Sequence, residues 1–381
     1  MSSTTATDFL DSPALPNQPI GPVSASSQIP ACAVDFGSFT GYFAAHKLQG
    51  NRAEQQDEVL ILAPLTESSS SSSSPDVVPL AFLAVMDGHG SEGGKASRAL
   101  RASLQRLAPV HVGAAVDDAV AVAGCGSSAG LDPPILAKAI QEALVTLAAA
   151  AQAELTSNAD VDVYLSGSTL VMAVVTPKHI VTANVGDSRA VYGYATPDGS
   201  GDSETVALTV DHTCGNEPEL ARVLSRGARV ERSRGPDGVA DQDGPLRLYK
   251  GSMPYPGLVV TRAMGDTAST AIGVLATPEA TAYPFRDLTN QRDAVLCLAS
   301  DGVWDGVPNS AAAVAVAHKL LARARAERDK PETKGPSWAR VVEVVAKKIA
   351  KTALAGLDAR KLDDNVSCVV CVVVPKTPST A

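Results

Sequence analysis

Aromatic residues are scarce in this chain: Phe, Tyr and Trp make up 4% of its 381 residues. A core built without large rings must be filled by small side chains, and the abundant Ala and Val within a 45% hydrophobic content supply them. Basic charge is also in deficit, with 32 Lys and Arg against 41 Asp and Glu and a net charge of −9. That balance argues against nucleic acid as a partner, since a phosphate backbone is bound by a basic surface. No run is expected to reach the roughly 18 apolar residues of a membrane span, so no membrane contact is expected. The first residues lack a basic stretch followed by an apolar one and carry Asp8 and Asp11, unlike an export signal. The cytoplasm or nucleus is the expected compartment, and a monomer the simplest assembly.

The six cysteines (Cys32, Cys125, Cys214, Cys297, Cys368, Cys371) show no disulfide-like spacing, which suits a reducing compartment. Cys368 and Cys371 have the spacing of half a zinc motif. They fall in the Val-rich run Val366 to Val374, which reads as a strand. Residues three apart on a strand point to opposite faces, so these two thiols are expected in the core.

Residues 1–30 are rich in Ser, Thr and Pro and read as a disordered segment ahead of one domain over 31–376. A low-complexity Ser-rich loop is expected over 66–77. Apolar spacing predicts a helix from Ser91 to Pro109, with 110–131 as an Ala/Gly/Ser-rich insertion. Asp132-Pro133-Pro134 opens a second helix running to about Leu155. Gly167–Thr176 and His179–Val185 read as a hairpin turning at Pro177-Lys178, with Ser188–Gly193 extending it. A helix starts at Asn216 and stops at Gly227. Asp293–Ala299 reads as a strand, and Pro308–Arg328 and Trp338–Ala355 as helices, the second ended by Gly356. Helices in pairs between groups of strands favour an α+β fold of antiparallel sheets covered by helices.

Three acidic strand ends stand out. Asp87-Gly88-His89-Gly90 follows the apolar run Leu80–Met86, Ser300-Asp301-Gly302 follows a second run, and Asp363-Asp364-Asn365 precedes a third. A lone Asp in such a place reads most simply as a helix cap. Gly88 and His89 add a closely approachable carbonyl and a proton donor. Asp305 lies one helical turn beyond Asp301, and Gly186-Asp187-Ser188-Arg189 sits at a turn. Buried aspartates require a cation or donors. Oxygen ligands almost free of His or thiolate select Mg²⁺ or Mn²⁺ over Zn²⁺, and such ions suit in-line phosphoester hydrolysis.

The ordered motifs resemble those of the type 2C, metal-dependent protein Ser/Thr phosphatases. They are Arg52 to Asp57, Asp87-Gly88-His89, Ser166-Gly167-Ser168-Thr169, Gly186-Asp187-Ser188-Arg189, Arg262-Ala263-Met264-Gly265-Asp266, Ser300-Asp301-Gly302-Val303-Trp304-Asp305 and Asp364-Asn365. They cover about residues 40 to 374. The resemblance implies a four-layer αββα sandwich, two antiparallel β-sheets flanked by helix pairs. It implies hydrolysis of phosphoserine and phosphothreonine in phosphoprotein substrates with two Mg²⁺ or Mn²⁺ ions, and a weaker third. Asp87 would bridge two metals, the Gly88 carbonyl would ligate one, and Asp301 and Asp364 would hold the other. Asp57 would orient the attacking water, Arg52 would bind the phosphate, and His89 would protonate the leaving oxygen. Asp187, Asp305 and Asp301 resemble the third-metal site. Gln56 stands where many members have Glu, as in the branch of the family with Gln-Asp in this motif. It supplies an oxygen without charge and implies a weaker hold on one metal. A pseudophosphatase acting as a binding module is the alternative, favoured by Gln56 alone.

Overall fold

Strand alternation sets the architecture. In β4 (Ala81–His89), Phe82, Ala84 and Met86 enter one core, and Ala81, Leu83 and Val85 enter another. A strand buried on both faces must lie in an inner layer. The computed structural model describes residues 26–65, 76–195, 203–233, 244–285, 293–330 and 335–376. One sheet has the order β1 (Ser26–Asp35), β2 (Phe39–Leu48), β16 (Val366–Pro375), β15 (Ala294–Ala299), β8 (Arg189–Ala195) and β9 (Ser203–Ala207). The other has β13 (Met264–Gly265), β5 (Gly167–Ser168), β4, β6 (Leu170–Val175), β7 (His179–Val185) and β14 (Glu279–Pro284), with β3 (Asp57–Leu62) pairing to β4. All of these pairs are antiparallel.

Small side chains fill the space between the sheets, where Ala45, Val85, Ala173, Leu298 and Val369 meet. Helices α1 (Gly93–Ala123) and α2 (Pro133–Ser157) cover the β4 sheet. Helices α4 (Asp301–Gly306), α5 (Ser310–Arg328) and α6 (Trp338–Arg360) cover the β16 sheet. The result is the expected αββα sandwich. Cys368 faces the helices and Cys371 the opposite sheet, so no shared metal is possible there. A smaller lobe packs α3 (Glu217–Ser225) on β10 (Ala228–Arg232), β11 (Leu246–Lys250) and β12 (Pro256–Leu258) around Val223, Leu248 and Val260.

Several elements differ from the sequence reading. α1 continues through Pro109 and buries Val112 and Val116, so most of the expected insertion 110–131 is helix. Its Ala-rich composition favours helix, and two apolar residues four apart keep the packed face in register. α6 continues past Gly356 to Arg360, because that glycine is a packing contact: a Cβ there would lie 1.8 Å from the Gly306 carbonyl oxygen. β8 does not extend the β6–β7 hairpin but crosses to the other sheet beside β15. Ser26–Pro30, assigned above to the disordered segment, forms the start of β1. The Ser-rich loop over 66–77 lies outside the described residues except for Asp76 and Val77, and residues 1–25 also lie outside them. By length and composition α2 is apolar enough to cross a membrane, contrary to expectation. Its Ile140, Leu144, Leu147, Ala151 and Leu155 are buried in the core shared with α1 and the β4 sheet.

Candidate functional site

β3 and β4 position the first two carboxylates. Asp57 and Asp87 stand directly opposite each other in this ladder, so their side chains share one face at one end of the sheet. Asp57 is 1% exposed. Its Oδ2 accepts a hydrogen bond from Ser300 Oγ at 2.9 Å, and its Oδ1 has no partner. Gly88 donates its N–H to the Gln56 carbonyl at 3.2 Å, and a Cβ on it would lie 2.3 Å from the Gly93 carbonyl oxygen. Only glycine fits there. The Gln56 side-chain amide donates to the Gly90 carbonyl at 3.1 Å.

The other sheet supplies the facing wall. Ser300 precedes α4, Asp301 begins it, and Asp305 lies exposed one turn on. Asp364 immediately precedes Asn365 and β16, and its Oδ1 is 3.0 Å from Arg52 Nη2. Arg52 also donates through Nε to the Asp363 carbonyl at 2.8 Å, and its side chain is 49% exposed. Asn365 holds the loop that carries Arg52. It accepts the Gln56 N–H at 2.8 Å and donates to the carbonyls of Gln49 (2.8 Å) and Glu54 (3.0 Å).

Asp87, Asp187, Asp301, Asp305 and Asp364 thus line one cleft of about 1050 Å³ together with Arg52, Gln56, Gly88 and His89. Asp57 lies buried behind it. Burial is the main influence on these carboxyls, and several of them also raise one another through their charges. Asp57 is pushed up to about 6 and Asp364 to about 7, the latter by burial and Asp301 against the pull of Arg52. Asp87 and Asp187 are raised well above the ordinary range, by burial first and then by Asp301. Asp301 is raised as well, by burial first, with Asp305 and Asp57 adding to it.

Among the described residues, no three Asp, Glu, His or Cys side chains close into a ready metal cage. Like charges facing one another separate or share a proton. The donor set nonetheless fits hard divalent cations. It is carboxylate oxygen, with orphaned buried atoms at Asp57 Oδ1 and Asp301 Oδ1. Each such atom costs about 1–3 kcal/mol when left unpaired.

His89 lines the cleft, and its Nε2 lies 2.5 Å from Asp266 Oδ2. Burial pulls the imidazole down, but the charge and hydrogen bond of Asp266 outweigh it, so His89 is raised. Asp266 was not assigned a role from sequence, and neither were the residues that brace Asp87. The Asp87 N–H donates to Thr169 Oγ1 at 3.1 Å, the Thr169 N–H returns a bond to the Asp87 carbonyl at 2.8 Å, and the Thr169 and Ser188 hydroxyls are 2.6 Å apart. Arg189 is occupied elsewhere. It forms a two-point ion pair with Asp211 (2.9 and 2.6 Å) and lies over the Trp304 ring. The signal for all of these was their place inside short polar motifs. Their partners become visible only on folding.

A four-layer sandwich with its carboxylates gathered where both sheets end defines the class of site. A family model described as Protein phosphatase 2C matches residues 42–355, and the chain belongs to that family. It is 34% identical over 235 residues to probable protein phosphatase 2C 48 of Oryza sativa subsp. japonica, covering 61% of this chain and 63% of that protein. It is 30% identical over 206 residues to probable protein phosphatase 2C 33 of Arabidopsis thaliana, covering 54% of this chain and 39% of that one. The chain therefore matches about two fifths to three fifths of these curated relatives' lengths. The fold is similar to that of the serine-threonine phosphatase 2C from Toxoplasma gondii, with a TM-score of 0.65, 21% identity and coverage of 92% of this chain and 100% of that one.

Proposed function

We propose that this chain is a metal-dependent protein Ser/Thr phosphatase. The observation that carries the reading is the convergence of Asp57, Asp87, Asp301 and Asp364 from distant parts of the chain, with unpartnered oxygens on Asp57 and Asp301 and with Arg52 against Asp364 in the cleft wall. The catalytic unit is taken as 31–376, extended by Ser26–Pro30 of β1. It is taken to work as a monomer, since this chemistry needs no second subunit, in the cytoplasm or nucleus on phosphoproteins.

Asp87 and the Gly88 carbonyl, with Gln56 and Asp57 beside them, would hold one Mg²⁺ or Mn²⁺ ion. Asp87, Asp301 and Asp364 would hold a second, and Asp187, Asp301 and Asp305 a weaker third. Bound there, the ions supply an acidified water and neutralise phosphoryl charge. The chain's own side chains do the rest. Arg52 turns from Asp364 to the substrate phosphate, where its planar fork suits two oxygens. Asp57, held by Ser300, accepts a hydrogen bond from the attacking water and aims it. His89 delivers a proton to the Ser or Thr oxygen as it leaves.

The test is hydrolysis of a phosphothreonine peptide by purified protein with Mn²⁺ or Mg²⁺ and with EDTA, on wild type, Asp87→Asn and Asp301→Asn. Turnover that needs metal and vanishes in both variants is expected. An undiminished rate in either variant would remove the assignment, and a wild-type chain that binds phosphopeptide without turnover would make it a binding module.

A further inference from the structure

We propose that Asp266 is a positioning residue for His89, holding the imidazole by Nε2 so that Nδ1 is the nitrogen left to serve the cleft. This rests on the phosphatase reading and extends it to a further residue in the wall of the same cleft.

Three independent features converge on the contact. The first is the contact itself: Nε2 and Oδ2 are 2.5 Å apart, and the Asp266 side chain is 2% exposed while the His89 ring is 26% exposed. A buried carboxylate against one ring nitrogen fixes both ring orientation and tautomer.

The second is backbone strain. Asp266 has φ +44°, a left-handed conformation that among the described non-glycine residues only Lys361 shares. Such strain persists where the surroundings over-determine it. Here the Asp266 N–H donates to the Ser166 carbonyl at 3.0 Å, and the N–H of Gly265 donates to Gln152 Oε1 at 2.8 Å. On the other side the Thr267 N–H donates to the Val163 carbonyl at 3.0 Å, so the residue is pinned into a conformation it would not choose.

The third is space. A Cβ on Gly167 would lie 2.2 Å from Asp266 Oδ2. The glycine of Ser166-Gly167-Ser168-Thr169 is therefore what lets the carboxylate reach β4. The motif ending in Asp266 and the motif containing Gly167 pair as β13 and β5, and β5 pairs with β4 at His89. Two of the motifs in the sequence thus act on the third.

In the reaction, the water oxygen bonds to phosphorus as the bond from phosphorus to the Ser or Thr oxygen breaks with its electron pair. The Nδ1 proton of doubly protonated His89 goes to that oxygen, and Nε2–H stays on Asp266. One water proton remains on the phosphate product, and the other passes to solvent and balances the one His89 later regains.

The experiment measures kcat and KM for a phosphothreonine peptide and for p-nitrophenyl phosphate, whose leaving group needs no proton. The variants are Asp266→Asn, Asp266→Gly, His89→Ala and the double variant His89→Ala/Asp266→Asn. Asn and Gly both accept positive φ, so the fold is kept. The expected kcat loss in both Asp266 variants is about tenfold or more larger for the peptide than for p-nitrophenyl phosphate, with KM little moved. Adding Asp266→Asn to His89→Ala should cost less than about twofold, because the two act as one unit. Equal losses on the two substrates, no loss, or losses that multiply in the double variant would overturn the assignment. A wild type that hydrolyses neither substrate would instead overturn the phosphatase reading on which it rests.

Discussion

The side chain of Asn365 accepts the backbone N–H of Gln56 at 2.8 Å, joining two points 309 residues apart. With its amide given to Gln49 and Glu54, it closes a three-point clasp around the loop that carries Arg52. Asn365→Ala leaves one donor and two acceptors without it. A stability loss of about 1–3 kcal/mol is expected. The phosphopeptide KM should rise more than kcat falls, since Arg52 loses its placement. Thermal melts and steady-state kinetics check both.

Gln56→Glu adds a charge next to Asp87 and Gly88. In metal-free protein it should lower the melting temperature, because another carboxylate joins a group already raised by burial and by neighbouring carboxylates. With Mn²⁺ the order should reverse, and half-maximal activity should need less metal. A metal titration of the two proteins that superimposes would show that Gln56 does not set the affinity.

Gly356 and Gly306 bring α6 and α4 into backbone contact. Gly356→Ala forces α4 away, at a cost of about 1–3 kcal/mol from overpacking. Because α4 carries Asp301 and Asp305, activity should fall further than stability alone explains. Comparing residual turnover with the folded fraction from circular dichroism measures the difference.

Glu219 anchors the smaller lobe. Burial alone would raise its carboxyl, but hydrogen bonds from Arg222, Arg262 and Thr261 hold it well below the usual carboxylate range. The folded state then binds fewer protons than the unfolded state below about pH 4.3. The stabilisation is fully present above that pH and is lost as pH falls toward the folded value. Glu219→Gln should cost about 3 kcal/mol at pH 7, and the gap to wild type should narrow between pH 5 and pH 3. Parallel thermal melts across that range check the sign.

The strand ends were legible because Asp87, Asp301 and Asp364 each adjoin an apolar run that alternates or saturates. The layers were legible because helices arrive in pairs. Other features depended on contacts that local pattern does not encode. Pro109 reads as a stop until Val112 and Val116 are seen to share a buried face. Gly356 reads as a cap until Gly306 is found against it. Asp266 and Thr169 gain their meaning from partners 177 and 82 residues away. The turn at Gly186-Asp187 looked like a hairpin because sequence shows two strands and not that they belong to separate sheets.

β16 is threaded between β2 and β15, pairing with β2 along its whole length from Val366 to Pro375. Until those residues leave the ribosome, β2 and β15 are open edges, and Asp57, Asp87 and Asp301 lack the wall that bears Asp364. A chain cut before β16 is therefore expected to lack Asp364 and one wall of the cleft. Its first sheet also stays unzipped, with edges that invite pairing to other chains, until a closure spanning more than 300 residues is made. Completion of the sheet and closure of the cleft thus depend on the same strand.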